Sequence, residues 1–161
     1  LKQCAEETAT LVSLSCRHGS FRYILSSYNG CDNFQPPVEK LRYDDLYLCS
    51  TGRILLAFAD EADLKALIRE KGVPDYGPWH AGTTEKEFRA ALEKIRKEKE
   101  LSCYYSDHGI AAFPLFNGKK FEAAIGALWP DINRKKDPDR MKTLRRYVKK
   151  TSDILSCRIT S

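Results

Sequence analysis

None of the six cysteines pairs with another as C-x-x-C, and no apolar run approaches the roughly 20 uninterrupted residues that a membrane span needs. The first absence argues against a zinc site. The second leads to the expectation of a soluble chain with no membrane partner. Histidine is scarce, with only His18, His80 and His108, and none of them sits in H-E-x-x-H or in H-x-E ahead of P-C-x-x-C. There is no G-x-S-x-G nucleophile elbow. No metal or cofactor is therefore expected, and an enzyme is the minority reading. The chain opens on Leu1 without a starting Met, a basic n-region or a small-residue cleavage site, so a further segment is expected ahead of it.

What is present suits one ordinary globular domain spanning residues 1–161, with 42% hydrophobic and 30% charged residues. Several cysteines lie in apolar segments such as LVSLSC and DLYLC, where a thiol behaves as a small hydrophobe. They are expected to be reduced core residues, although their even number leaves a disulfide framework formally open. The net charge is +5, and nine basic against two acidic residues fall between Arg134 and Lys150. That stripe is either a footprint for nucleic acid or the solvated face of a surface helix.

Period and turn chemistry order the chain. TLVSLSCR and FRYILSSY flank His18-Gly19-Ser20 and predict a hairpin. Pro36-Pro37 predicts a loop or edge strand. Gly52 to Phe58 is too uniformly apolar for a surface helix and predicts a short helix packed under the sheet, with Ser50 and Thr51 as its caps. Asp60 caps a helix ending at Gly72, and Thr84 with Glu87 forms a capping box ahead of Phe88, Leu92 and Ile95. Two strands around Asn117-Gly118 pair Ala111 to Phe116 with Lys120 to Leu128. Asp137-Pro138 opens a last helix whose apolar face runs through Met141, Leu144, Val148 and Leu155. Strands, helices, strands, helix in that order predict an α+β fold of one antiparallel sheet covered by helices.

Two stretches could carry chemistry. Ser50-Thr51-Gly52 opens a buried helix whose free N–H groups attract anions, or it is plain capping. In SDHGIAAFP, Asp107 and His108 can act as an acid/base pair only if a bend at Gly109 brings them together, because strand neighbours point to opposite faces. Tyr104 and Tyr105 beside them are cavity walls or structural strand residues.

Taken in order, Thr51-Gly52-Arg53-Ile54-Leu55-Leu56-Ala57, the helices DEADLKALI and FRAALEKIRK, and the strands Ala112-Phe113-Pro114-Leu115-Phe116-Asn117 and Ala123-Ala124-Ile125-Gly126-Ala127-Leu128-Trp129-Pro130 resemble the effector-binding domain of IclR-type transcription regulators. Those proteins carry T-x-x-G-K-A-L-L-A, E-E-L-x-A-L-L, L-x-x-E-L-x-x-I-R, A-A-P-V-F-D and A-A-L-S-V-S-G-P. The resemblance covers nearly the whole chain. It implies a GAF-like fold, a curved antiparallel sheet flanked by helices, in a cytoplasmic protein of a bacterium or archaeon. It also implies a winged helix-turn-helix beyond this chain that binds DNA, association into a homodimer or homotetramer, and a small-molecule effector, an organic acid or aromatic metabolite.

Carried over by position, the effector site comprises Ser50, Thr51 and Gly52, then Tyr104, Asp107, His108 and Ile110, and finally Gly126 and Leu128. SDHGIAAFP then becomes a pocket wall. The S-x-S-G-P of the family reads GALWP here, which removes two hydroxyls and adds bulk. The effector is accordingly expected to be aromatic or otherwise different, the alternatives being a closed pocket in a purely oligomerising domain or an enzyme using Asp107 and His108.

Overall fold

A computed structural model describes residues 1–31, 46–76, 79, 82–105, 107–130 and 137–157, with the backbone of 42–43. In chain order the elements are α1 (Lys2–Thr8), β1 (Leu11–His18), β2 (Phe21–Asn29), β3 (Arg42–Tyr43), α2 (Ser50–Ala57), α3 (Glu61–Lys71), α4 (Glu85–Glu98), β4 (Leu101–Tyr104), β5 (His108–Asn117), β6 (Lys120–Pro130) and α5 (Pro138–Cys157). The six strands form one sheet in the order β3-β2-β1-β6-β5-β4, and every neighbouring pair is antiparallel. The α+β architecture expected from the sequence is the one observed.

Both predicted hairpins are present. They close through Gly19-Ser20 and Gly118-Lys119, each glycine at φ 58 in the left-handed region that costs other residues energy. Asn117 stays in the strand, paired with Lys120, so the second turn sits one residue later than Asn117-Gly118. β1 and β2 slip register beyond Leu14, leaving Leu25 bulged and 59% exposed, and a second bulge at Glu122 interrupts β5 and β6. Extra residues of this kind bend a strand locally.

Helices cover both faces. On one, Ile54, Leu55 and Leu56 of α2 pack with Phe88, Leu92 and Ile95 of α4 over the small residues Ala112 and Ala124. Each such buried side chain contributes about 1.5–3 kcal/mol. Asp60 caps α3 by accepting from the Asp63 N–H, and Thr84 and Glu87 complete the capping box of α4 as expected. On the other face, Cys4 and Ala5 of α1 and Met141 and Leu144 of α5 pack on Val12, Phe113, Ile125 and Trp129. Asp137 caps α5 through the Arg140 N–H at 2.9 Å.

The structure corrects several expectations. LSCYY forms a separate strand, β4, because Leu101 to Tyr104 pair with Ala112 to Gly109. Helix α1 precedes the first strand; seven residues carry too little period to announce a helix, and it holds by burying Cys4, Ala5 and Thr8. None of the six cysteines is joined in a disulfide, and only Cys4 is buried, its thiol pushed up in pKa mainly by that burial. Cys16, Cys31, Cys49 and Cys103 are partly buried, and Cys157 is exposed. Pro36-Pro37, Gly77-Pro78, His80, Ser106 and Arg134 to Lys136 lie outside the described residues.

Three of the six described basic residues of the stripe, Arg140, Arg145 and Arg146, are engaged within the fold. Arg145 clasps Glu100 through two bonds of 2.7 and 2.8 Å, Arg140 donates to the Thr8 carbonyl at 3.0 Å, and Arg146 and Tyr147 both bond Glu7 of α1. These contacts fasten the last helix to the body of the domain.

Candidate functional site

Helix α2 approaches the sheet closely because its contact strand offers no side chain at Gly126. A Cβ there would lie 2.5 Å from Thr51 Cγ2 and 3.2 Å from Ser13 Oγ. Residues of β1, β2, β5 and β6 and the start of α2 line one pocket. It is a cavity of about 380 Å³, within the size range of small-molecule sites. Leu11, Ile24, Ile110 and Leu128 line it as apolar floor, Ser13 and Ser27 stand among them, and the segment from Leu48 to Thr51 forms one wall.

Among the described lining residues, Arg22 carries a permanent charge. It is only 6% exposed, and its Nη1 donates to Ser15 Oγ at 3.1 Å and to Thr51 Oγ1 at 3.0 Å. A guanidinium stays protonated in proteins, so the cavity holds a buried positive charge steered by two hydroxyls. The sequence hid this residue, because an arginine in FRYI reads as a solvent-facing strand residue. One signal was available: in Leu11-Val12-Ser13-Leu14-Ser15, the serines share one strand face and Val12 and Leu14 the other. That face looks toward α2, not toward water.

At the mouth, Tyr105 stacks on His108 with ring centroids 4.7 Å apart and planes at 20°. His108 Nδ1 lies 2.7 Å from Asp107 Oδ1. This bond, before the opposing effect of desolvation, holds the Asp107 carboxyl below the usual aspartate range. Burial pushes the Tyr105 phenol up. The bend that joins Asp107 to His108 is the β4–β5 turn, closed by the Tyr105 N–H donating to the His108 carbonyl at 2.8 Å. Gly109 is not that bend: it lies extended beside Trp129, whose ring would sit 2.4 Å from an added Cβ.

Six of the nine residues singled out from the sequence meet at this cavity: Ser50, Thr51, His108, Ile110, Gly126 and Leu128. Three do not. Gly52 lies beneath it, where a Cβ would come within 2.4 Å of the Leu46 carbonyl oxygen, so its part is close packing. Tyr104 points to the opposite face against Trp129, at 6.0 Å and 73°, and Tyr105 takes the place expected of it. Asp107 has an 81% exposed side chain and reaches the cavity only through His108. Neither Ser50 nor Thr51 caps α2; Cys49 does, its Sγ accepting from the Gly52 N–H at 3.3 Å. A thiolate-free sulfur is a weak acceptor, and Ser50 and Thr51 turn their side chains to the cavity and to Arg22.

As an acid/base pair, Asp107 and His108 lack a third member: among the described residues no hydroxyl or thiol is hydrogen-bonded to His108. No group of three His, Cys, Asp or Glu side chains that could hold a metal converges among the described residues. No helix among them is long and apolar enough to cross a membrane. The arrangement can hold an anion against Arg22 and its hydroxyls, with an apolar body on the isoleucines and leucines.

No protein-family model matches the chain, and no curated protein matches it in sequence. Solved structures do match. The inducer-binding domain of the PobR transcription factor from Acinetobacter, a double mutant in complex with 3-hydroxybenzoic acid, superposes with a TM-score of 0.72 at 17% identity, over 97% of this chain and 92% of that one. A transcriptional regulator from Rhodococcus sp. RHA1 gives 0.79 at 17%, over 98% of this chain and 66% of its own. A Rhodococcus regulator of the IclR family gives 0.73 at 22%, over 95% and 60%. The chain thus spans about two thirds or less of these longer regulators. At such identities the likeness is one of fold, and the fold of this chain is that of the effector-binding domains of IclR-type transcription regulators.

Proposed function

We propose that this chain is the ligand-sensing domain of a transcription regulator, and that the cavity at the N-terminal end of α2 takes a small organic acid or aromatic effector. The observation that carries this reading is Arg22, buried and bonded to Ser15 and Thr51, in a cavity whose described lining is mostly apolar, with Leu11, Ile24, Ile110 and Leu128 among it. A buried cation among apolar walls suits an anionic head on an apolar body. The fold supports the same reading, since a double mutant of an Acinetobacter inducer-binding domain of this architecture forms a complex with 3-hydroxybenzoic acid. The chemistry is binding without turnover. The effector acts by favouring one arrangement of a homodimer or homotetramer over another, which alters DNA binding by a segment outside this chain in a cytoplasmic protein. Such coupling requires unequal affinity for the two arrangements, because equal affinity shifts nothing.

The test is a thermal-shift screen of the chain against small aliphatic and aromatic carboxylic acids, followed by calorimetry on each hit. A ligand of the folded state raises the melting temperature with concentration. Arg22→Met, Thr51→Ala and His108→Ala are each expected to abolish or weaken the shift while the chain stays folded. A panel with no hit, or hits of unchanged affinity in Arg22→Met, overturns the reading.

A further inference from the structure

A second cleft lies beside the open edge of β5. β4 pairs with β5 only as far as Ala112, opposite Leu101, so Phe113 to Asn117 have β6 on one side and no described strand on the other. An open edge ordinarily invites another strand. Here it is closed to one: Pro114 has no N–H to offer, the Phe116 N–H donates to Ser152 Oγ at 3.4 Å, and the Gly118 N–H donates to Ser156 Oγ at 2.8 Å. Between this edge, α5 and the end of α4 lies a cleft of about 560 Å³.

Its floor and its rim differ in character. Phe113, Pro114, Phe116 and Val148 supply apolar surface. Around them stand Lys99, Lys119 and Lys149, all exposed and none ion-paired with a described residue. Arg145 on the same wall is already neutralised by Glu100. Lys99 ends α4 with φ 54, and that left-handed conformation sets its Nζ 5.6 Å from the centre of the Phe116 ring. Three cations with no described counter-ion over an aromatic and prolyl floor are complementary to a negative charge joined to an apolar body.

We infer that this cleft is a second ligand site, separate from the cavity at α2, that takes an amphipathic organic anion such as a carboxylate or sulfonate with a ring or acyl body. The body lies on Phe113, Pro114 and Phe116, and the acidic head sits among Lys99, Lys119 and Lys149. The inference stands whether or not the α2 cavity binds anything.

Anilinonaphthalene sulfonate tests it, since the dye has the required shape and charge and brightens in apolar surroundings. Titrated into the chain, it is expected to give a saturable rise in fluorescence. Lys99→Asn combined with Lys149→Glu should weaken it about tenfold or more, with asparagine chosen because it tolerates the left-handed backbone. Val148→Trp should block the dye with every charge retained, and Arg22→Met should leave its affinity unchanged. Far-ultraviolet circular dichroism establishes that each variant is folded. The proposal is overturned by no saturable signal from the unaltered chain, by equal affinity in the lysine variant, or by loss of binding in Arg22→Met alone, which would place the dye in the other cavity.

Discussion

Thr51→Val isolates the bond that holds Arg22. Valine keeps the β-branched shape that packs against Gly126 but removes the oxygen that accepts from Arg22 Nη1 at 3.0 Å. At 6% exposure the guanidinium has little water to turn to. A hydrogen bond to a charged group is worth about 1.5–3 kcal/mol, and leaving a buried donor unmet costs a similar amount. With a urea dependence of about 2 kcal/mol/M, a loss of about 2 kcal/mol lowers the unfolding midpoint by about 1 M. The same substitution made on Arg22→Met should cost no more than about 0.5 kcal/mol, because the bond it would break is already gone. Equilibrium urea unfolding of the four proteins, followed by tryptophan fluorescence, measures both. An unchanged midpoint in Thr51→Val, or an equal loss in both backgrounds, would refute the assignment of Thr51 as the anchor of the buried arginine.

Gly109→Ala places a methyl group 2.4 Å from the Trp129 ring, which is itself fully buried. Overpacking of this kind costs about 1–3 kcal/mol, so differential scanning calorimetry should record a clear drop in melting temperature, and an unchanged one would show that the ring relocates freely. Glu7 has its folded pKa lowered, first by the Tyr147 hydroxyl and then by Arg146. A lowered carboxyl contributes stability above its unfolded pKa of about 4.3 and loses it as pH falls through the folded value. Glu7→Gln should therefore be less stable than the unaltered chain at neutral pH and converge with it in acid; a gap that stays constant between about pH 6 and pH 3 would contradict that linkage.

Much of the fold was legible because the signals were local. The capping box of Thr84 and Glu87, the Asp60 and Gly72 limits of α3, the Gly118 turn and the Asp137 cap each depend on residues within a few positions of one another. Helix α1 and strand β4 were not legible, because each is short and exists through a partner: α1 through Cys4 and Ala5 against the sheet, β4 through its ladder to β5. The cap of α2 was misplaced for a similar reason. Ser50 and Thr51 are better capping residues than a cysteine, yet the tertiary position of the helix turns them toward the cavity and leaves Cys49 at the end of the turn.

The candidate site divides along the same line. Local pattern carried the buried helix, since periodicity is a property of neighbouring positions, whereas the SDHGIAAFP wall and the small residue at Gly126 came from the resemblance to IclR-type effector-binding domains. Only the assembled sheet could decide that Arg22, from the second strand, reaches Ser15 and Thr51 across 29 positions of chain, that Tyr105 and not Tyr104 faces the cavity, and that Asp107 stands outside it. A side chain's exposure and partners are set by what packs against its strand, and a bulge at Leu25 or a turn at Tyr105 exchanges faces in a way no residue type records.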